Sequence, residues 1–185
     1  MTSVAHAWEW YLATRESLLR IRRMGEKHWP SLPWEGPLGN DDEFRMLEAE
    51  DVIRQADLGI EYFDDIAVLV LFSVFEAEVR SRVLAEVRTE CDALRHPALL
   101  YAANEAQQAI EDGSFWKVLE PYKCPTLVGL VEEVNQVRRY RNWVAHGRRT
   151  AQPAAVTPKA AFERLTRFLA VFDPSPPTGA DLESG

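Results

Sequence analysis

The sequence predicts an all-α fold, a single-domain bundle of five to six helices. Apolar side chains recur at intervals of three and four residues through most of the chain, as they do on the buried face of a helix. No stretch shows the strict alternation of apolar and polar residues that is typical of a half-buried strand. The chain has 185 residues, of which 46% are hydrophobic, so it is long enough for one domain with a buried core.

Capping residues, prolines and glycines divide this pattern into segments. Three prolines and a glycine within residues 29–37 end the first helix, because proline lacks a backbone amide hydrogen and clashes inside a helix. The Asn-Asp-Asp-Glu run at residues 40–43 caps the second helix, and Gly59 permits a break before the third. Prolines open the last three helices, and Gly113 and Gly147 lie just beyond two helix ends. The predicted helices cover residues 4–28, 40–57, 62–94, 97–112, 125–146 and 157–172.

Several classes of protein are disfavoured by the composition. Cys91 and Cys124 are far apart, and the four histidines are scattered, so neither a disulfide scaffold nor a common metal-ligand motif is predicted. The N-terminus has no basic segment followed by an apolar stretch, which predicts a cytoplasmic protein without a secretory signal. The apolar run at residues 66–75 is about half the length of a membrane span and predicts a buried core segment. We therefore expect no membrane partner, no metal and no cofactor.

Positive charge is concentrated in one short segment of an acidic chain. The formal net charge is −8, yet Arg138, Arg139, Arg141, Arg148 and Arg149 lie within twelve residues that contain no acid. Removing those five charges takes the net charge from −8 to −13. A basic patch on an acidic body is typical of a site for a phosphate-bearing ligand. The alternative is a solvated helix end, where arginines interact favourably with the helix dipole.

The same segment contains the one convergence of reactive side chain types. On a helix, Asn142 and His146 are four residues apart and share a face, while Arg138 and Arg141 lie on an adjoining stripe. Arginine offers a forked, permanently charged donor for phosphate oxygens, and histidine can exchange a proton near neutral pH. Trp143 is a candidate for base stacking, although its spacing is also typical of a core position.

The run Arg141-Asn142-x-x-x-His146 resembles the signature of the HEPN superfamily, in which an arginine precedes a histidine near the end of a late helix. The resemblance extends more weakly to residues 72–80, which are similar to the core helix of HEPN proteins. It implies a helical bundle over residues 61–172, with residues 1–60 as N-terminal helices of unknown role packed on it. Residues 173–185 are proline-rich and predict a disordered tail.

A second match to the spacing, from Arg23 to His28, serves as an internal control. Here methionine follows the arginine, Gly25 lies inside the run, and Trp29-Pro30 ends the helix. We interpret this copy as a solvated helix terminus.

Ser73 and Glu76 are candidate supporting residues in the long apolar helix, one turn apart. A carboxylate at this depth needs a partner, because unpaired burial is costly. One interpretation is an ion pair of Glu76 with Arg80, four residues later. The other is that Glu76 orients Arg141 or His146.

Two functions are consistent with these observations. By resemblance, the first is a metal-independent endoribonuclease that acts as a homodimer, with Arg141, Asn142 and His146 in a composite site. The resemblance further implies a toxin of a toxin–antitoxin or other prokaryotic defence system, with a cognate antitoxin protein as partner. In this hypothesis RNA is bound by the remaining arginines of the patch: Arg138, Arg139, Arg148 and Arg149. The alternative is a non-catalytic HEPN-like helical dimer that binds a partner protein or a nucleotide.

Overall fold

The predicted all-α helical bundle is confirmed, but residues 2–173 form seven α-helices rather than the five to six predicted. The computed structural model describes residues 2–173, and every regular element in that range is helical. Beyond residue 173 the predicted tail lies outside the described residues. The α-helices of residues 2–173 are α1 (Val4–Lys27), α2 (Asp42–Arg45), α3 (Ala49–Cys91), α4 (Pro97–Asp112), α5 (Phe115–Leu119), α6 (Val128–Ala145) and α7 (Pro158–Leu169).

The predicted break at Gly59 is wrong, because α3 runs unbroken for 43 residues. A β-carbon added to Gly59 would lie 3.5 Å from a methyl of Leu18, so this residue packs against α1. Packing along α1 outweighs the cost of one glycine inside a helix, about 1 kcal/mol. The predicted cap is confirmed, since the Asp41 carboxylate accepts hydrogen bonds from the backbone amides of Glu43 and Phe44. The helix that it caps, α2, has only four residues and does not extend to residue 57 as predicted. Because α3 continues through residue 60, the predicted boundary between residues 60 and 61 falls inside one helix.

The core lies where α3 meets α5, α6 and α7. Phe75 is fully buried and makes edge-to-face contacts with Phe115 of α5 and Phe168 of α7. From α6, Val134 and Val137 complete the same cluster. These contacts fix α6 against α3, and that pair of helices carries the candidate site.

The N-terminal helix α1 packs along α3 and contributes to this core. Val4 and Ala7 are buried in the same hydrophobic cluster, and the Tyr11 hydroxyl donates a 2.8 Å hydrogen bond to Asp64 of α3. Near the other end, a β-carbon at Gly25 would lie 2.9 Å from Cγ1 of Ile53, so the two helices approach closely there. Over the described part of the chain, no helix is long and apolar enough to cross a bilayer.

Candidate functional site

The basic segment lies at the C-terminal end of α6. Val131, Val134 and Val137 hold one face of this helix in the core, so the opposite face is left for polar side chains. The helix ends at Ala145, one residue before the predicted end, and the His146 amide donates to the carbonyl of Asn142 at 3.0 Å.

The chain turns sharply after His146. Gly147 and Arg148 have φ angles of +71° and +57°, in the left-handed region that glycine favours and arginine rarely adopts. Arg148 is therefore in a strained backbone conformation, which persists only when surrounding contacts hold it.

Asp65 supplies those contacts from inside α3. It is buried, and its carboxylate accepts a 2.6 Å hydrogen bond from the Tyr140 hydroxyl. The same carboxylate forms an ion pair with the Arg148 guanidinium. The guanidinium also lies 5.6 Å from the ring centroid of Tyr62 and 5.4 Å from that of Trp143. Burial raises the pKa of Tyr140, so its hydroxyl stays protonated and donates to Asp65. Arg148, predicted to bind RNA, thus has a partner in the protein that fastens the turn after His146 to α3.

Arg141 faces a small cavity between α3, α5 and α6. One amino group donates to the Asn142 side-chain oxygen at 3.0 Å, and the guanidinium lies 5.7 Å from the Phe72 ring centroid. Its Nε is buried, and no hydrogen-bond partner lies among the described residues. The cavity has a volume of about 170 Å³. It is lined by Phe72, Glu76, Ser114, Phe115, Trp116, Arg138, Arg141 and Asn142.

Arg138 faces the same cavity in a less hydrated environment than a surface arginine. Its Nε donates to Asn135 at 2.9 Å, and its guanidinium lies 5.4 Å from the Trp116 ring centroid. Burial lowers the pKa of Arg138, and the neighbouring Arg139 charge adds to this, whereas Glu132 and Glu76 oppose it. The cavity is therefore lined by two arginines and one acid, Glu76.

His146 lies on the other side of Asn142, in an open groove of about 490 Å³. The groove is lined by Arg139, Asn142, Trp143, His146, Arg149, Thr150, Ala151 and Pro153. Arg139 is half exposed and pairs with Glu132 at 2.7 Å, while Arg149 is exposed. Asn142 is the only one of these residues that also lines the Arg141 cavity, so it separates the two spaces.

The two candidate supporting residues have different surroundings. Glu76 lines the Arg141 cavity and also forms the expected ion pair with Arg80, at 2.8 Å. Arg80 in turn donates to the carbonyls of Ile110 and Gly113 at the end of α4. Ser73 is exposed, donates to the carbonyl of Leu69 at 2.8 Å, and is not among the residues of this cavity.

The control copy of the motif has a structural explanation. His28 ends α1 through its backbone amide, which donates to the carbonyl of Met24. Gly25, inside the run, permits the close approach of α1 to α3. This agrees with its interpretation as a helix terminus.

Sequence reasoning missed Asp65, Tyr140 and the α5 residues Phe115 and Trp116. The one available signal was Asp65 itself, an acid just before the apolar run at residues 66–75. Its partner Arg148 is 83 residues away, so no local spacing could have linked them.

Among residues 2–173 there is no group of three or more histidine, cysteine or acidic side chains that could hold a metal ion. No protein-family model, curated protein or solved structure matches the chain.

Proposed function

We propose that the protein is an endoribonuclease that acts without a metal ion, as a homodimer, with Arg141, Asn142 and His146 as its catalytic residues. The observation that carries the proposal is the arrangement around Asn142, which has an arginine cavity on one side and the His146 groove on the other. Asn142 thus lies between an arginine, which can bind a phosphate, and a histidine, which can transfer a proton.

Each of the three residues has its own role in phosphodiester cleavage. The RNA 2′-oxygen attacks phosphorus, the bond to the 5′-oxygen breaks, and a proton must leave the first oxygen and reach the second. His146 acts as general base or acid in these transfers, and the Arg141 guanidinium stabilises the charge that develops on the phosphate oxygens. Asn142 holds that guanidinium through its side-chain oxygen, at 3.0 Å. The products are a 2′,3′-cyclic phosphate, or a 3′-phosphate after its hydrolysis, and a 5′-hydroxyl.

Helix geometry supports a composite site made by two copies. Arg141 and His146 are five residues apart, which at 3.6 residues per turn places them about 140° apart around the α6 axis. The structure accordingly assigns them to different spaces. A second copy facing this region would supply the missing partner to each space.

A face suited to a second copy lies on α3. Tyr62, Ile66, Ser73 and Ala77 point outward from this helix at helical spacing and carry no charge. Glu76, which lines the Arg141 cavity, directly precedes Ala77. Because a two-fold axis brings each surface onto itself, an uncharged strip avoids like-charge repulsion in an acidic protein. We expect the interface to include this face together with that of residues 134–147.

Cleavage is tested with purified protein and mixed RNA in EDTA. The wild type should cleave and leave 5′-hydroxyl ends, and the Arg141→Ala/His146→Ala double variant should not. Arg23→Ala/His28→Ala, which removes the control copy of the same motif, should retain full activity. Cleavage that survives in the first double variant, or that is absent from the wild type, contradicts the proposal.

The composite site is tested by mixing two inactive single variants. If Arg141 of one copy works with His146 of the other, a mixed dimer of Arg141→Ala and His146→Ala has one intact site. Random mixing of equal amounts then restores roughly one quarter of wild-type turnover. No recovery in mixed dimers, once exchange is shown by light scattering or mass spectrometry, would place both residues in one chain's site.

A toxin role follows from the resemblance and has its own test. Expression of the wild type alone should arrest bacterial growth, and His146→Ala should be tolerated at equal folded abundance. A cognate antitoxin would then restore growth with the wild type. Equal growth arrest by both proteins would show that the effect does not come from this site.

The alternative function, a helical dimer that binds a partner protein or a nucleotide, is favoured by one observation. No side chain of the 16-residue helix α4 is buried, and Leu99, Leu100 and Tyr101 are exposed there. An exposed apolar cluster is typical of a protein-binding surface. If wild-type protein binds RNA or a partner in EDTA but never cleaves RNA, this alternative is the one that remains.

A further inference from the structure

Among residues 2–173, Glu76 is the one acidic side chain that lines the Arg141 cavity, beside the two arginines Arg138 and Arg141. Burial lowers the pKa of Arg138, and the negative charge of Glu76 opposes that shift, so the carboxylate acts on this arginine. Carboxylates form strong, charge-assisted hydrogen bonds with guanidinium groups. A Glu76 side chain that turned toward either arginine would therefore compete with a phosphate for it.

Arg80 holds the Glu76 carboxylate in an ion pair instead. Its Nε and one amino group donate to the same carboxylate oxygen of Glu76, at 3.2 and 2.8 Å. The two arginines of the cavity donate to asparagine side chains of α6, and within the described part of the chain neither forms an ion pair with Glu76. The side chains of Arg80 and Glu76 are only 16% and 25% exposed, so their attraction is screened less than that of a surface pair.

Arg80 is itself fixed at the junction of α4 and α5. Its guanidinium donates to the backbone carbonyls of Ile110 and Gly113 and lies 5.5 Å from the ring centroid of Phe115. Ile110 belongs to the last turn of α4, and Phe115 is the first residue of α5 and part of the cavity lining. Because these contacts fix the guanidinium, they also fix the Glu76 carboxylate that is bound to it.

A second ion pair on α3 provides a matched control. Glu78 and Arg82 are also four residues apart, their side chains are 20% and 32% exposed, and the distance between the charged groups is 2.8 Å. Arg82 likewise donates to a backbone carbonyl of another helix, that of Leu169 in α7, at 3.2 Å. Neither residue of this pair lines the Arg141 cavity. The two pairs therefore resemble each other in structure and differ in whether they adjoin the cavity.

We propose that Arg80 is a positioning residue of the Arg141 cavity, which holds the Glu76 carboxylate in an ion pair so that Arg138 and Arg141 stay available to a phosphate group. The inference rests on the proposed ribonuclease function and adds a residue outside the motif on which phosphate binding depends. Three arginines and one glutamate leave two positive charges in excess. Without Arg80 only one remains in excess, and the freed carboxylate can pair with an arginine of the cavity.

Binding is measured by titrating the full chain with inorganic phosphate in EDTA while the indole N–H signal of Trp116, which lines the cavity, is followed by NMR. Arg80→Gln should weaken phosphate binding about tenfold, because a positive charge is lost near the anion and a carboxylate is freed there. Arg82→Gln should change the affinity by less than about twofold, since its pair lies outside the cavity. Equal affinities of these two variants, or a wild type that binds no phosphate, would overturn the proposal.

A double variant separates the positioning of Glu76 from the support that Arg80 gives to α4 and α5. Arg80→Gln/Glu76→Gln loses the same contacts with the backbone carbonyls as the single variant, but it no longer has a carboxylate that competes with phosphate. The double variant should therefore recover most of the wild-type affinity. If it binds phosphate as weakly as Arg80→Gln, then Arg80 acts through the cavity wall and the proposal is wrong.

Cleavage of mixed RNA in EDTA distinguishes the failure of this inference from the failure of the proposed function. Slower cleavage by Arg80→Gln, with recovery in the double variant, supports both. Cleavage by Arg80→Gln at the wild-type rate overturns the inference and leaves the ribonuclease. If the expected pattern of phosphate affinities is found in a protein that never cleaves RNA, it supports the positioning role of Arg80 and contradicts the ribonuclease.

Discussion

Asp65 is the residue whose replacement tests the architecture of the site most directly. Its carboxylate is the common acceptor for Tyr140 on α6 and for Arg148 in the turn beyond α6. Replacing Asp65 with alanine removes both contacts at once. We expect a loss of folding stability that is much larger than for an exposed acid, together with loosening of the turn after His146.

The magnitude follows from the burial of the three partners. Without Asp65 the Tyr140 hydroxyl, in a residue only 8% exposed, has no acceptor, which costs about 1–3 kcal/mol. The Arg148 side chain is 36% exposed and can turn to solvent, so loss of its ion pair adds at most about 1 kcal/mol. The free energy of unfolding should therefore fall by about 3 kcal/mol. In a chain of this size that lowers the midpoint of thermal unfolding by roughly 6–12 °C.

The assay is urea unfolding followed by circular dichroism, with two further variants. Asp65→Asn keeps an acceptor oxygen for Tyr140 and should lose about 1 kcal/mol. Asp57→Ala breaks the ion pair between Arg22 and Asp57, whose side chains are 40% and 52% exposed, respectively. The free energy of unfolding should fall by no more than about 1 kcal/mol. If Asp65→Ala is as stable as Asp57→Ala, the buried carboxylate does not hold α3, α6 and the turn together.

Three further outcomes are expected. Gly25→Ala should destabilise the protein by about 1–3 kcal/mol, because the new methyl group would lie 2.9 Å from a side-chain carbon of α3. Gly129→Ala should be neutral or stabilising, because no atom lies within 4 Å of the new methyl group. The urea midpoints of the two variants test this. Burial and a hydrogen bond to an aspartate on α3 raise the pKa of Tyr11, so its contribution to stability is complete below about pH 10 and is lost above it. The free energy of unfolding of the wild type should thus fall more steeply from pH 9 to pH 11 than that of Tyr11→Phe. Arg149→Gln should weaken RNA binding and reduce its salt dependence without changing stability, whereas Arg148→Gln should lower stability; titrations at several salt concentrations beside urea unfolding distinguish the two.

The helix ends that depend on local chemistry could be predicted from the sequence. The bounds of α4 agree with the prediction at both ends, and α6 ends one residue before the predicted position. Proline and glycine act through backbone geometry within a few residues, so these signals do not depend on the rest of the fold. The break predicted at Gly59 is wrong because one glycine destabilises a helix only weakly, and the packing of α3 against α1 outweighs that effect. The five-residue helix α5 was missed because it is too short for periodicity to reveal.

Only the part of the candidate site that lies on α6 could be predicted from the sequence. Asn142 and His146 line the same groove, and Arg138, Arg141 and Asn142 line the same cavity, as spacing on α6 indicated. Contacts between distant segments could not be read from spacing. Adjacency in the sequence predicts the same role for Arg148 and Arg149, but Arg148 has a left-handed backbone conformation and its side chain pairs with Asp65.

The division of the motif between two spaces is itself a consequence of the sequence spacing. Four residues bring two side chains to one face of a helix, but five residues separate them by about 140°. A spacing of four would have placed the arginine and the histidine on one face of α6. With the spacing found here, Asn142 touches both spaces while Arg141 and His146 do not share one. The geometry of α6 therefore directs the arginine and the histidine of the motif into different spaces. If the protein is the dimeric ribonuclease proposed above, we expect the Nε of Arg141, which has no hydrogen-bond partner among residues 2–173, to meet a phosphate oxygen of the substrate.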